Sequence, residues 1–327
     1  MSTILLTLAC SADPVTPTAV GTTDPPASTD TPGPTDTSAP PTVESFGWEE
    51  PRDVAVAGMA TADVCATCHD SAQNASALRD EIGQSVAPYD LWQSSMMANA
   101  TRDPLWRAVV SAELDATPAA SEVIQQTCLR CHAPLASAAH GLTGLDRPTF
   151  ADLAPGSDML QLALDGVSCT LCHQIEPDGL GTEASYDGGW TVAGQGVIYG
   201  PHADPFAHPM EMHSGYTPVQ ADHVGRSDLC ATCHVVHVDA VEADGTPMGV
   251  HAIEQGTGLE WEVSGYAATD TTCQTCHLPT ESAQGVPIVT RIAHNPSGQD
   301  FPPTSPRSPV GRHILVGGNT LVPQMLR

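Results

Sequence analysis

Five times in 327 residues this chain writes one pentapeptide pattern, Cys-x-x-Cys-His: Cys65 to His69, Cys128 to His132, Cys169 to His173, Cys230 to His234 and Cys273 to His277. Ten of the eleven cysteines fall in these motifs. Paired cysteines also build zinc sites, but there two pairs share one tetrahedral ion and no histidine need follow each second thiol. An odd number of pairs would leave a half-site unmatched, and a disulfide framework has no reason to repeat one spacing. The pattern is that of c-type haem attachment. Cys65 and Cys68, Cys128 and Cys131, Cys169 and Cys172, Cys230 and Cys233, and Cys273 and Cys276 would each join one porphyrin through its two vinyl groups. His69, His132, His173, His234 and His277 would then bind iron from beneath, as the proximal ligands of five haem c groups. The chain has no lysine, which excludes the attachment variant that ends in that residue.

Five porphyrins constrain the fold. Five Trp, five Tyr and four Phe are a thin supply for a conventional core of this length. Buried haems would provide the missing apolar surface, contacted by Leu, Val, Met and Pro. The expected fold class is therefore a multihaem cytochrome c: mainly short α-helices and irregular coil wrapped around five covalent haems, with little β structure. Intervals between successive motifs alternate long and short, which suggests a repeated two-haem unit. Asp103-Pro104 predicts a capped helix start running through Leu114, and Ser157 to Leu164, closed by Gly166, predicts another. Thr61, Ser121 and Ser227 stand before motifs where N-caps would fall. Trp190 to Tyr199 is the best candidate for a short hairpin.

Haem c is attached outside the cytoplasm, so the chain is expected to be exported to the periplasm or cell surface. Residues 1–10 resemble a bacterial lipoprotein signal, with an apolar run from Ile4 and Cys10 as the residue to be lipidated. The run is short and no basic residue precedes it, and the other reading is that Cys10 is an ordinary leftover thiol. Residues 11–45, rich in Pro, Thr, Ser and Asp, read as a disordered tether, and residues 46–327 as the pentahaem domain. No segment has the roughly 18 apolar residues that span a bilayer, so membrane attachment would rest on a lipid at Cys10. With 38 acidic residues against eleven arginines, nucleic acid is excluded as a partner. Such a field keeps a protein soluble or steers other redox proteins, with basic cytochromes as one class.

Whether each iron is closed or open depends on its second axial ligand. Nine further histidines stand outside the motifs: His140, His202, His208, His213, His223, His237, His251, His294 and His313. Five irons can use at most five of them. His237 follows His234 too closely to reach the far face of the same haem. No histidine lies between His69 and Cys128, but Met96 and Met97 do, and one of them would either ligate iron through its thioether or pack as a core side chain, Met96 standing at helical spacing from Trp92.

Several segments beyond the motifs carry a resemblance. Trp92-x-x-Ser95-x-Met97, Ser227-Asp228-Leu229, the run from Cys273 to Pro279 and the run from Arg312 to Asn319 resemble multihaem cytochromes c. The closest group is the hydroxylamine-oxidoreductase-like superfamily, which includes the nitrifiers' tetrahaem cytochrome. The resemblance covers residues 64–319. In that family the Trp-x-x-Ser-x-His position supplies a distal histidine, and Met97 stands there in this chain. The resemblance implies His313 as a distal ligand, and it contributes to the choice of His213, His223 and His251 as further distal candidates beside Met97.

Two functional expectations follow. In the preferred one every iron is six-coordinate and the chain carries electrons, with no side chain doing acid/base chemistry. The alternative is a haem oxidoreductase acting on hydroxylamine or a small nitrogen or sulfur oxyanion at one open-site haem. A filament built by head-to-tail stacking is a third arrangement.

Overall fold

The computed structural model describes residues 49–317, apart from Gln195 and Ala243; the signal and tether expected at residues 1–10 and 11–45 lie outside the described residues. Among the described residues eleven α-helices succeed one another: α1 (Ala62–His69), α2 (Pro88–Trp92), α3 (Pro104–Ala116), α4 (Ser121–His132), α5 (Pro134–Leu142), α6 (Asp158–Leu164), α7 (Cys169–Cys172), α8 (His208–His213), α9 (Ser227–His234), α10 (Thr257–Glu262) and α11 (Cys273–His277). Six strands among the described residues form three separate two-stranded sheets, β1 (Ala55–Val56) with β2 (Met59–Ala60), β3 (Val197–Gly200) with β4 (Thr217–Gln220), and β5 (Val236–Val241) with β6 (Pro247–Gln255). The second pair is parallel and the other two antiparallel. Among the described residues no helix is long and apolar enough to cross a membrane.

Local chemistry sets the longer helices. The Asp103 carboxylate accepts the Leu105 N–H at 2.9 Å, Pro104 occupies the first turn, and Trp106, Val110 and Leu114 repeat every four residues on the buried face of α3. Capping of this kind stabilises by about 1 kcal/mol. Ser157 caps α6 in the same manner, its hydroxyl accepting the Leu160 N–H at 3.1 Å. Gly166, at φ +65°, ends that segment, and a side chain there would meet the carbonyl oxygens of Met97 and Ala98 at 2.6 Å. The close approach lets Met97 O accept the Val167 N–H at 2.8 Å, which seats the Met97 strand of chain beside the third motif.

Two local expectations are corrected. Trp190 to Tyr199 does not form a hairpin: Val192 bridges to Ile175, and Val197–Gly200 pairs in parallel with Thr217–Gln220. The reason is a competing partner. Tyr199 is held by the third motif, its N–H donating to His173 O and its carbonyl meeting His173 Nδ1, each at 2.6 Å. Ser121 and Ser227 are first helical residues rather than caps, and Thr61, at the cap position of α1, turns its hydroxyl to the Arg52 carbonyl at 3.3 Å instead of to the helix.

The core is unevenly distributed. One large cluster joins Met59, Leu129, Leu135, Phe150, Leu160, Leu162 and Leu171 with α3, and α5 lies buried within it. Beyond Leu180 the buried apolar side chains among the described residues are Tyr216, Ala231, Val235, Val236, Ile288 and Val310. At about 25 cal/mol per Å² of apolar surface, so few side chains provide little drive to fold the second half. Other apolar groups of that half, Val219, Val238, Val241, Leu278 and Ile292 among them, line a cavity instead.

Candidate haem-binding cavity

Four of the five motifs close a helix on their histidine, α1 at His69, α4 at His132, α9 at His234 and α11 at His277; the third fills α7 and leaves His173 at its C-cap. In a helix, positions i, i+3 and i+4 share one face. Each motif therefore offers two thiols and an imidazole to the same side. All ten motif cysteines and all five motif histidines line one continuous cavity of about 3440 Å³. A site for one small molecule is roughly 300–1,000 Å³, so the space is several ligands wide.

Three motif imidazoles are oriented by backbone carbonyls. His69 Nδ1 donates to Ile292 O at 2.8 Å, His132 Nδ1 to Ala100 O at 3.1 Å and His173 Nδ1 to Tyr199 O at 2.6 Å. A carbonyl only accepts, so the Nδ1 proton is fixed and the Nε2 lone pair is left for a metal. Burial pushes the pKa of all three downward, which keeps the rings neutral and able to ligate. His234 is lowered as well, first by burial and then by His277. His132 is also stacked on Trp106, the rings 4.5 Å apart and 9° from parallel.

Opposite His173 stands His313. Their ring centroids are 6.3 Å apart and their planes 31° from parallel. A metal–nitrogen bond of about 2.0 Å plus about 1.1 Å from nitrogen to ring centre, taken on both sides, comes to about 6.2 Å for one metal between two imidazoles. His313 Nδ1 meets Gly311 O at 3.1 Å, leaving Nε2 as the free nitrogen here too. Burial first, and His173 next, hold its pKa down to about 4. The pair fits a bis-imidazole iron.

The thiols connect the motifs. Cys65 lies within hydrogen-bonding reach of Cys169, Cys131 of Cys233, and Cys230 of Cys273. Cys172 is close enough to Cys233 and Cys230 for their charges to interact. The spatial order is thus first, third, fourth, with the second and fifth motifs both meeting the fourth. Burial pushes the Cys172 thiol up to about 12 and that of Cys128 up to about 11, the latter with help from Glu254 and Glu113. Thiols so shifted are protonated at neutral pH and are poor thiolate ligands.

The remaining candidates are scattered. Met97 lines the cavity while packing against the main core, and Met96 lines it nearby. His213, at the end of α8, lines the cavity and is exposed. His251 lines it from β6, with Nδ1 2.5 Å from Asp239. His223 is buried edge-on to the lining residue Tyr199, its Nε2 donating to Ile175 O at 2.8 Å, so only Nδ1 is left for other use. Of the other histidines, His237 contacts Asp187 at 3.3 Å, and His140 places Nδ1 2.5 Å from Asp146 O. Sequence reasoning passed over the groups that aim the imidazoles. Ile292, Ala100 and Tyr199 act through their carbonyls, which every residue has, and only Trp106, inside a helix with a clear apolar stripe, carried any signal.

Comparison with protein-family models, curated proteins and solved structures finds no match.

Proposed function

We propose that this chain carries five covalently attached haem c groups and transfers electrons along them. The observation that supports this reading best is the single cavity lined by all fifteen motif residues, with thiols of neighbouring motifs close enough to interact. Each haem would supply one-electron chemistry at its iron. The chain's own part is to anchor, ligate and exclude water. The cysteine pairs would anchor each ring, the motif histidines would ligate its iron, with Nε2 left free at His69, His132 and His173, and His313 would complete the site held by His173. No side chain need move a proton. The contact order makes the fourth motif a junction between the first and third sites on one side and the second and fifth on the others.

Export, a lipid at Cys10 and a tether over residues 11–45 complete the proposal, placing the domain at a membrane surface outside the cytoplasm. A formal charge of −27 favours positively charged redox partners, and association with them should weaken as salt rises.

The test is expression in a host able to attach haem c, followed by pyridine haemochrome assay, intact mass and electron paramagnetic resonance. Five haems per chain with low-spin iron support the proposal. Protein that folds and retains zinc, or holds no haem, refutes it. A high-spin fraction that binds cyanide or nitrite would move the assignment to the small-oxyanion oxidoreductase.

A further inference from the structure

His294 is one of two histidines with less than 5% of their surface exposed, and neither of its ring nitrogens is free. Nε2 lies 2.6 Å from Asp70 Oδ1 and Nδ1 lies 2.7 Å from Asn295 O. With an oxygen facing each nitrogen at hydrogen-bonding distance, neither nitrogen is open to iron. Its surroundings give it a different task. The His294 N–H donates to Cys68 O at 3.1 Å, and two residues earlier Ile292 O accepts the His69 Nδ1 proton at 2.8 Å. Cys68 precedes His69 and Asp70 follows it, so the segment from Ile292 to His294 grips the first motif on both sides of its imidazole.

We propose that His294 is a positioning residue for His69: through its clip to Asp70 it holds the Ile292 carbonyl in place, and so sets the rotation and tautomer of the imidazole at the first motif. The proposal rests on the haem reading above. Its consequence is electronic. A carbonyl well placed on Nδ1–H makes the imidazole a stronger donor to the metal, which favours the oxidised iron. Loosening the clip weakens that bond and raises the potential of this one site. The second and third motifs use Ala100 and Tyr199 carbonyls, and Tyr199 is held by its own N–H to His173 O rather than by a histidine clip.

The loop has other anchors, so a change at His294 need not unfold it. Asp300 accepts from Ser76 N–H at 2.9 Å, Ser76 Oγ at 2.7 Å and Ala77 N–H at 3.0 Å, and Arg291 O accepts the Leu78 N–H at 2.9 Å.

The experiment compares His294→Leu, His294→Gln and the unchanged five-haem protein by potentiometric titration and electron paramagnetic resonance, after haem counting. His294→Leu should keep five haems and raise one of five midpoint potentials by a tenfold change in its reduction equilibrium, about 59 mV for one electron. One low-spin signal should change with it. His294→Gln, whose amide can still donate to Asp70, should return that potential toward its original value. Unchanged potentials in His294→Leu overturn the proposal, even if the melting temperature falls, as does an equal shift of all five. Should His294→Leu not be recovered, Asp70→Asn is measured instead: a smaller upward shift of the same single potential supports the clip, and no shift refutes it. Protein without haem would refute the functional reading and leave the geometry of the clip unaffected.

Discussion

If the chain holds the five haems proposed, removing the imidazole of His313 should open one iron and only one. The ring stands 6.3 Å from that of His173, close to the separation that a metal held between two imidazoles would take. In His313→Ala the partner site keeps its two thioether anchors and its proximal nitrogen, so haem content should stay at five. One fifth of the iron should then become high-spin, read as an axial signal in electron paramagnetic resonance and as a matching loss of low-spin intensity. Free imidazole should refill the vacated position and restore the low-spin spectrum, since the hole has the shape of the ring removed. In the unchanged protein the ligand should stay neutral through the physiological range: lowering from the ordinary 6.5 to about 4 amounts to roughly 3 kcal/mol against the charged ring. The ligation reasoning fails if His313→Ala remains fully low-spin, or if imidazole binds without changing the high-spin fraction.

Other outcomes can be checked on the same material. Trp106→Ala removes a side chain that is 8% exposed and stacked on His132; it should destabilise by about 3–5 kcal/mol in thermal melts and alter the signal of the second site more than the others. Asp165 is raised by burial to about 6 from 3.8, so the folded state holds its proton more tightly than the unfolded chain. That stabilisation is complete below about pH 4 and drains away as pH rises through 6, by about 3 kcal/mol in all. Asp165→Asn should therefore melt higher than the parent at pH 7, by about 6 °C at roughly 2 °C per kcal/mol, with the gap closing by pH 4; parallel curves across that range would contradict it. Replacing Cys230, Cys233, Cys273 and Cys276 by alanine should leave residues 54–180 resistant to limited proteolysis while most of residues 181–317 are cut, because the buried members of the main apolar cluster end at Leu180.

What could be read from the residues divides along a physical line. Side chains that act locally were legible. Asp103 and Ser157 cap the helices predicted from them, and the i, i+3, i+4 spacing of each motif becomes one helical face. Side chains with two possible partners were not. Ser227 has the composition of a cap, yet its hydroxyl accepts the Cys273 N–H at 3.1 Å, tying the fourth motif to the fifth. Tyr199 belongs to a segment with hairpin character, yet its backbone is claimed by His173 across 26 residues. The positions of the non-motif histidines were the least legible. Burial, and the oxygen facing each ring nitrogen, separate His294 from His313, and neither is encoded by nearby residues.

The reach of the bond from His69 to Ile292 has a consequence for how such a chain is made. The acceptor lies 223 residues after the donor, and His313, the ring facing His173, also comes late in the chain. A polypeptide delivered from its N-terminus presents the first motif early and the partners that orient it late. Any cofactor joined to Cys65 and Cys68 would wait on a loosely held imidazole until the segment 288–313 emerged and folded back. On the proposed reading the first and third sites would then reach working geometry in a single late event, and that segment would be the timing step of maturation.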